Sequence, residues 1–229
     1  MQLGHCFFKQ QKWEQALEQY TKAIRVSNLT REEITDELIY HRAGTIYIQQ
    51  ELWEDAKVMF LMCSDQFKTS FAFFNLGVAA CRLESYEEAE AVLSHANYLD
   101  PSHADTWAFL TLVLLRNDER YFAAFQTMNE AIKLNLSNVD LTLEIAQEWI
   151  QLGSFKGAKE SYEHALKLKA GPKSIKKVIE FINKVEDAVN QKAAIDLPYV
   201  KVIIEHKKDI LNKNPALSQD EELYEAYIQ

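Results

Sequence analysis

The stretch YEEAEAVLSHANYLDP, residues 86–101, decides the fold of this chain. It places an aromatic residue at Tyr86, a small residue at Ala89, a large apolar residue at Leu93 and a second small residue at Ala96. Steps of three and four residues bring these side chains onto one face of an α-helix. The stretch therefore predicts a helix that packs through a face on which two alanines allow close approach.

The same pattern recurs along the chain. Its first alanines are Ala16, Ala56, Ala89, Ala124 and Ala158, at intervals of 40, 33, 35 and 34 residues. A second small residue follows each first alanine; it is Cys63 in the second copy, and the last three copies have Ala96, Ala131 and Ala165. A period of this size is typical of helical repeat proteins.

A second helical pattern precedes each copy by about twelve residues. Its small positions are Gly4, Gly44, Gly77 and Ala146, and the fourth copy has Thr111 instead. The repeating unit is therefore two antiparallel helices joined by a short turn. We expect Gly44 and Gly77 to face Ala56 and Ala89, so that the helix axes approach to about 8–10 Å.

These units resemble tetratricopeptide (TPR) repeats in period and in helix-turn-helix form. The resemblance implies an all-α, right-handed superhelix over residues 1–170. The five repeats are expected at residues 1–28, 37–68, 70–101, 104–136 and 139–170. The first repeat lacks its opening turn, so we expect the chain to be a fragment of a larger protein. The 40-residue first interval predicts a longer loop, or an early helix start, before the second repeat.

The repeat register ends at Gly171-Pro172. Residues 173–211 keep helical periodicity, and we predict capping helices there, because a solenoid needs a cap over its last apolar face. An acidic tail follows, so that residues 171–229 form a C-terminal helical cap and tail.

Composition excludes several classes of partner. The net charge of −9 argues against a nucleic-acid backbone as partner, because such binding needs clustered Lys and Arg. The apolar runs, such as residues 107–115, are too short to cross a membrane. Three cysteines without a CxxC pair indicate reduced thiols, and we expect a cytoplasmic protein.

The sequence carries no catalytic or cofactor-binding signature such as HExxH, a P-loop, GxSxG or GxGxxG. Its six histidines show no metal-ligand spacing with one another or with the cysteines. We interpret Cys63 as a small apolar core residue. We therefore predict a protein that is not an enzyme and has neither a cofactor nor a metal site.

In TPR proteins the first helix of each repeat lines a concave groove. The resemblance implies that a partner contacts His41, Thr45, Phe71, Phe74, Val78, Arg82, Leu112, Leu115 and Arg116. An apolar stripe with a few arginines suits an amphipathic partner helix or a peptide. Two alternatives stay open: residues 198–228 fill the groove, or neighbouring repeats bury it by superhelical closure.

Three functions fit such a fold. The first is a protein-interaction scaffold without chemistry of its own. The second is a chaperone-linked adaptor, whose clamp of Lys and Asn is replaced here by His5, His41, Thr45, Phe74 and Val78. The third is the regulatory domain of an enzyme whose catalytic part lies N-terminal to this fragment. The missing clamp favours the scaffold.

A narrower resemblance lies in RLESYEEAEAVLSHANYLDPSHADTWAFLTLVLLRNDER, residues 82–120. This stretch is similar to the C-terminal TPR region of cilia- and flagella-associated axonemal proteins. The resemblance implies a subunit of a large assembly in the axoneme, part of the cytoskeleton of a cilium or flagellum. Its implied partners are axonemal or dynein-associated proteins.

Overall fold

A computed structural model describes residues 2–30, 34–117, 120–152 and 155–168, together with residues 177, 180, 182 and 183. This part contains ten α-helices and no strand. The helices form consecutive pairs: α1 (Gln2–Lys9) and α2 (Trp13–Thr30), α3 (Leu38–Gln49) and α4 (Trp53–Phe67), α5 (Ser70–Arg82) and α6 (Tyr86–Leu99), α7 (Ala104–Arg116) and α8 (Tyr121–Lys133), and α9 (Val139–Gln151) and α10 (Phe155–Lys167).

The recurring alanines lie at the points of closest helix packing. Every one of them is fully buried: Ala16, Ala56, Ala89, Ala96, Ala124, Ala131, Ala146, Ala158 and Ala165. The large residue between the two small positions is buried as well, for example Phe60 and Leu93. Truncation of such a side chain costs about 3–5 kcal/mol for Phe and 2–5 kcal/mol for Leu. The apolar face predicted from the sequence is therefore the packing face.

The glycines of the first helices face a different partner from the predicted one. A Cβ on Gly44 would lie 2.4 Å from Phe60 Cζ, and a Cβ on Gly77 would lie 2.5 Å from Leu93 Cγ. Gly4 meets the Tyr20 ring in the same way. The expectation that Gly44 and Gly77 face Ala56 and Ala89 is corrected, because the large side chain one turn later needs the space that a missing Cβ leaves.

The turns inside the first three repeats share one backbone geometry. Gln11, Glu51 and Glu84 each have a φ of 58–59°, in the left-handed region. The next residue then bonds back across the helix end, as Leu52 N does to Tyr47 O at 2.9 Å and Ser85 N to Ala80 O at 3.0 Å. Such a Schellman-type turn satisfies carbonyls that the helix leaves free. It reverses the chain over the same short distance in each repeat.

The core runs along the array instead of forming one centre. One group of buried residues extends from Val78 to Ala158 and joins the third, fourth and fifth repeats. Another extends from Ala16 to Ala72 and joins the first two repeats to the start of the third. Both groups cross the boundary between repeats, which is how stacked repeats bury apolar faces that a single repeat leaves open.

The long first interval is partly taken up by the second helix, since α2 has 18 residues and extends to Thr30. Beyond the fifth repeat, Lys177 Nζ forms an ion pair with Asp140 Oδ1, and Ile182 is fully buried. Nearly all of the predicted cap at 173–211, the tail to 229 and the possible groove-filling segment 198–228 lie outside the described residues. The cap and the tail stay predictions.

Candidate functional site

The candidate site is the face formed by the first helices of the repeats, which we call the concave face. Helix α5 contacts α7, and α7 contacts α9, so these helices lie side by side along the array. Thr69 caps α5 by accepting a hydrogen bond from Ala72 N, and Asn138 caps α9 by accepting one from Leu141 N. The two caps fix where these helices begin.

The concave face is closed at its centre. Leu112 is 0% exposed, Leu115 is 2% exposed and Val78 is 9% exposed. These three predicted partner residues pack against neighbouring repeats and present almost no surface to a partner. Closure by neighbouring repeats and filling by residues 198–228, the two alternatives that the sequence left open, both stay predictions, because residues 198–228 lie outside the part of the chain that the structure describes.

Four charged side chains lie across the same region and form what we call the ion-pair ladder: Arg82, Glu144, Arg116 and Glu148. Arg82 on α5 donates two hydrogen bonds to the Glu144 carboxylate on α9, and the one from Nη2 to Oε2 is 2.8 Å long. Arg116 on α7 donates to Glu144 at 3.0 Å and to Glu148 at 2.8 Å. The ladder joins three repeats through their first helices.

The ladder fixes the protonation of its central carboxyl group. Burial alone would raise the pKa of Glu144, but hydrogen bonds and positive charge from Arg82 and Arg116 hold the pKa below its usual value. A hydrogen bond from Arg82 to a carboxylate also raises the pKa of that guanidinium. The two arginines predicted to meet a partner are therefore neutralised within the chain.

Aromatic rings continue the closed region. The Phe74 ring lies edge-on to Phe109 and to His103, with centroid distances of 5.8 and 4.7 Å. The Arg82 guanidinium lies 5.7 Å from the Phe109 centroid, within the range of a cation–π contact. Phe74 is half-buried by these contacts and forms the border of the closed region.

The second and third repeats leave part of the concave face open. Phe71 on α5 is 54% exposed, and Leu38 on α3 is 48% exposed. The His41 ring packs against Phe71 with a centroid distance of 4.5 Å and lies one helical turn after Leu38. We call Leu38 and Phe71 the open patch. Thr45, half-buried one turn beyond His41, donates its hydroxyl to His41 O and borders the patch.

Two positions of the chaperone-type clamp make bonds within the chain. His5 Nδ1 lies 3.0 Å from Tyr20 Oη, and His5 Nε2 lies 2.9 Å from Asp36 Oδ2. His41 Nε2 lies 2.7 Å from Glu37 Oε1. Neither histidine presents the free cation that a carboxylate clamp needs.

Sequence reasoning missed a cleft between the third and fourth repeats. It has a volume of about 500 Å³ and lies between α6, α7 and α8, where Tyr98, Trp107 and Leu110 form part of its wall. Asn97 Oδ1 lines it and has no hydrogen-bond partner within the described part of the chain. The repeat pattern hides this cleft, because its residues have the helical spacing that every repeat shows.

Sequence reasoning also missed a group of potential metal ligands. Glu37 Oε1, His41 Nε2 and Cys63 Sγ all lie within 4.8 Å of one another. Glu37 and His41 are one helical turn apart, but Cys63 is on the next helix, so the sequence spacing matches no known ligand motif. Cys63 does occupy the small, buried position expected from the repeat. None of the described helices is both long and apolar enough to cross a membrane.

Comparison with known proteins gives one family match. The sequence model described as the cilia and flagella-associated protein 70 C-terminal domain matches residues 1–195. Cilia- and flagella-associated protein 70 of Homo sapiens is 31% identical over 153 residues, which are 66% of this chain and 13% of that protein. The protein of the same name from Macaca fascicularis is 36% identical over 118 residues, which are 51% of this chain and 12% of that protein. The chain spans about an eighth of the length of these relatives.

Solved structures of TPR proteins share the fold. MamA superposes with a TM-score of 0.60 at 18% identity, covering 74% of this chain and 95% of MamA. YrrB, described as a TPR protein with an unusual peptide-binding site, gives 0.56 at 18% identity, covering 75% of this chain and 85% of YrrB. A thermophilic TPR protein of Thermus thermophilus superposes with a TM-score of 0.59 at 17% identity, covering 80% of this chain and 95% of that protein. The predicted all-α TPR superhelix is confirmed.

Proposed function

The chain belongs to the family of the cilia and flagella-associated protein 70 C-terminal domain, and from that premise we propose that it is a non-catalytic protein-interaction scaffold of the ciliary or flagellar axoneme. Both resemblances predicted from the sequence, to TPR proteins and to cilia- and flagella-associated proteins, are confirmed. TPR domains bind proteins or peptides, and this chain matches one segment of a much longer relative. Its task is to hold a neighbour in the assembly.

The open patch carries this proposal. On the concave face of the second and third repeats, Leu38 and Phe71 expose about half of their surfaces, whereas Leu112 and Leu115 of the fourth repeat are buried. Two large apolar side chains on the first helices of neighbouring repeats give a partner helix two apolar anchor points. We therefore assign the partner to this end of the groove and not to the ion-pair ladder.

An amphipathic helix from another axonemal protein is the partner that the patch fits. Its apolar face would cover Leu38 and Phe71, and its polar face would remain in water. The clamp positions His5 and His41 are engaged within the chain, so these two histidines do not form the clamp that holds a free C-terminal carboxylate.

Site-specific photo-crosslinking tests this function. A photoreactive phenylalanine analogue replaces Phe71 in the full-length protein in ciliated cells. The matched control carries the analogue at Phe122, which is 77% exposed on α8, the second helix of the fourth repeat. The proposal predicts one discrete crosslinked axonemal protein from position 71 and not from position 122. The same product from both positions, or none from position 71 in assembled axonemes, would contradict it.

A further inference from the structure

The structure holds a group of potential metal ligands next to the open patch, and one of them, His41, also packs against Phe71. Glu37 precedes α3, His41 lies in the second turn of α3, and Cys63 lies on α4, so the group sits where the second repeat meets the third. His41 Nε2 is 2.7 Å from Glu37 Oε1, and Cys63 Sγ is 3.8 Å from each of these two atoms. We propose that Glu37, His41 and Cys63 form a binding site for a zinc ion.

The distances agree with a tetrahedral metal centre. Zn–S bonds are near 2.3 Å and Zn–N and Zn–O bonds near 2.0–2.1 Å, so a tetrahedral site places the sulfur about 3.6 Å from the ligand nitrogen and from the ligand oxygen; we call these distances the edges of the site. Both such edges in the protein are 3.8 Å. The third edge, between His41 and Glu37, needs to open from 2.7 Å to about 3.3 Å, which a small rotation of the Glu37 carboxylate supplies.

The hydrogen bonds of Glu37 crowd around one of its carboxylate oxygens. Oε1 faces three groups at once: the Thr69 hydroxyl, His41 Nε2 and Cys63 Sγ. One carboxylate oxygen offers about two lone-pair directions, fewer than these three groups require. A cation placed between Glu37, His41 and Cys63 replaces two of the contacts by metal bonds and leaves the hydrogen bond from Thr69 in place.

The charges also balance. A thiolate and a carboxylate together neutralise Zn²⁺, and a neutral centre avoids the cost of a buried net charge. The Cys63 thiol loses its proton to solvent when the Zn–S bond forms. Glu37 is 28% exposed at its side chain, so the ion has a path from solvent. Three protein ligands leave a fourth position for water.

Cys63→Ala is the decisive variant. Alanine stands at the equivalent position of the last three repeats and is fully buried there, so this change removes the sulfur without disturbing the repeat packing. Cys6→Ser is the matched control, because Cys6 is exposed and lies outside the group. Cys81→Ala adds a control for a second buried thiol.

The experiment titrates the full chain with Co²⁺, which reports thiolate ligation by a charge-transfer absorption band, and then displaces it with Zn²⁺. The proposal predicts one ion per chain and a thiolate band that zinc abolishes. Cys63→Ala and His41→Ala should each weaken binding by at least about 100-fold, whereas Cys6→Ser and Cys81→Ala should retain it. Zinc should raise the Tm of the wild-type chain and leave that of Cys63→Ala unchanged.

Three results would overturn the proposal. They are the absence of a thiolate band in the wild-type chain, a band that persists in Cys63→Ala, and a band that is lost in Cys63→Ala but unchanged in His41→Ala. The last two would mean adventitious binding or a lone thiol. Because Cys63→Ala leaves Phe71 in place, crosslinking from position 71 tests the scaffold function separately.

Discussion

Gly77 is the position at which the packing of a repeat can be tested with one added methyl group. In Gly77→Ala the new Cβ would lie 2.5 Å from Leu93 Cγ, 2.8 Å from Leu93 Cδ2 and 3.4 Å from Leu93 N. Carbon atoms pack best at about 3.5–4.0 Å, so the Leu93 side chain has to retreat by about 1 Å. Leu93 is fully buried, and its backbone stands directly behind the contact.

The expected change in the free energy of unfolding of Gly77→Ala follows from two opposing effects. Overpacking a filled core costs about 1–3 kcal/mol. Replacing glycine by alanine inside a helix gains about 0.8–1.0 kcal/mol in helix propensity. We expect a net loss of about 1–2 kcal/mol in the free energy of unfolding, since a contact of 2.5 Å calls for the upper part of the overpacking range. The Tm should fall by roughly 2–8 °C.

A double-mutant cycle with Leu93→Ala isolates the contact. Leu93→Ala removes both side-chain atoms that approach the new Cβ, so in that background Gly77→Ala should stabilise the chain by about 0.8–1.0 kcal/mol through propensity alone. Ala91→Gly, an exposed change on the same helix α6, measures the propensity effect without a contact. Urea denaturation followed by circular dichroism gives all the values.

We expect Gly77→Ala to lower the free energy of unfolding in the wild-type chain and to raise it in the Leu93→Ala chain. If Gly77→Ala stabilises the chain equally with and without Leu93, the side chain of Leu93 does not occupy the space above Gly77. The assignment of glycine to the packing face of the first helix would then be wrong.

Two further predictions concern the ion-pair ladder. Glu144→Gln should lower the free energy of unfolding by about 1.5–3 kcal/mol, since Arg82 and Arg116 lose their charged acceptor. Asp140→Asn is the control, because the Asp140 side chain is 69% exposed. This control should cost under about 1 kcal/mol in the same urea denaturation. The pKa of Glu144 is lowered in the folded chain, so its contribution is fully present above the unfolded pKa of about 4.3 and is lost as the pH falls through the folded pKa. The stability difference between wild type and Glu144→Gln should therefore shrink on acidification, and a difference that grows would contradict the ladder.

Much of the fold can be predicted from the spacing of residues along the sequence. Alanines at intervals of about 34 residues, with glycines a helix earlier, suffice to predict helix pairs, because close helix approach demands small side chains at fixed positions. The partner of each glycine was not predictable in this way. Phe60 and Leu93 reach across to Gly44 and Gly77, and that reach depends on how the two helices are rotated about their axes.

The candidate site was predicted less well than the fold, because it depends on contacts between repeats. Arg82 and Glu144 are 62 residues apart in sequence, and no local pattern connects them. Leu112 and Leu115 have the spacing of groove residues, yet both are buried in the core shared by the third, fourth and fifth repeats. Cys63 fits the alanine position, and that fit conceals the two potential ligands beside it, Glu37 and His41.

Hydroxyl-radical footprinting of the purified chain, read residue by residue by mass spectrometry, tests most directly that the concave face is open in the second and third repeats and closed in the fourth. Phe122, which is 77% exposed on α8, sets the reference rate of oxidation. We predict oxidation of Phe71 at a rate close to that of Phe122, and protection of Leu112 and Leu115. Oxidation of Leu112 as fast as that of Leu52, which is 45% exposed, or protection of Phe71, would contradict this account.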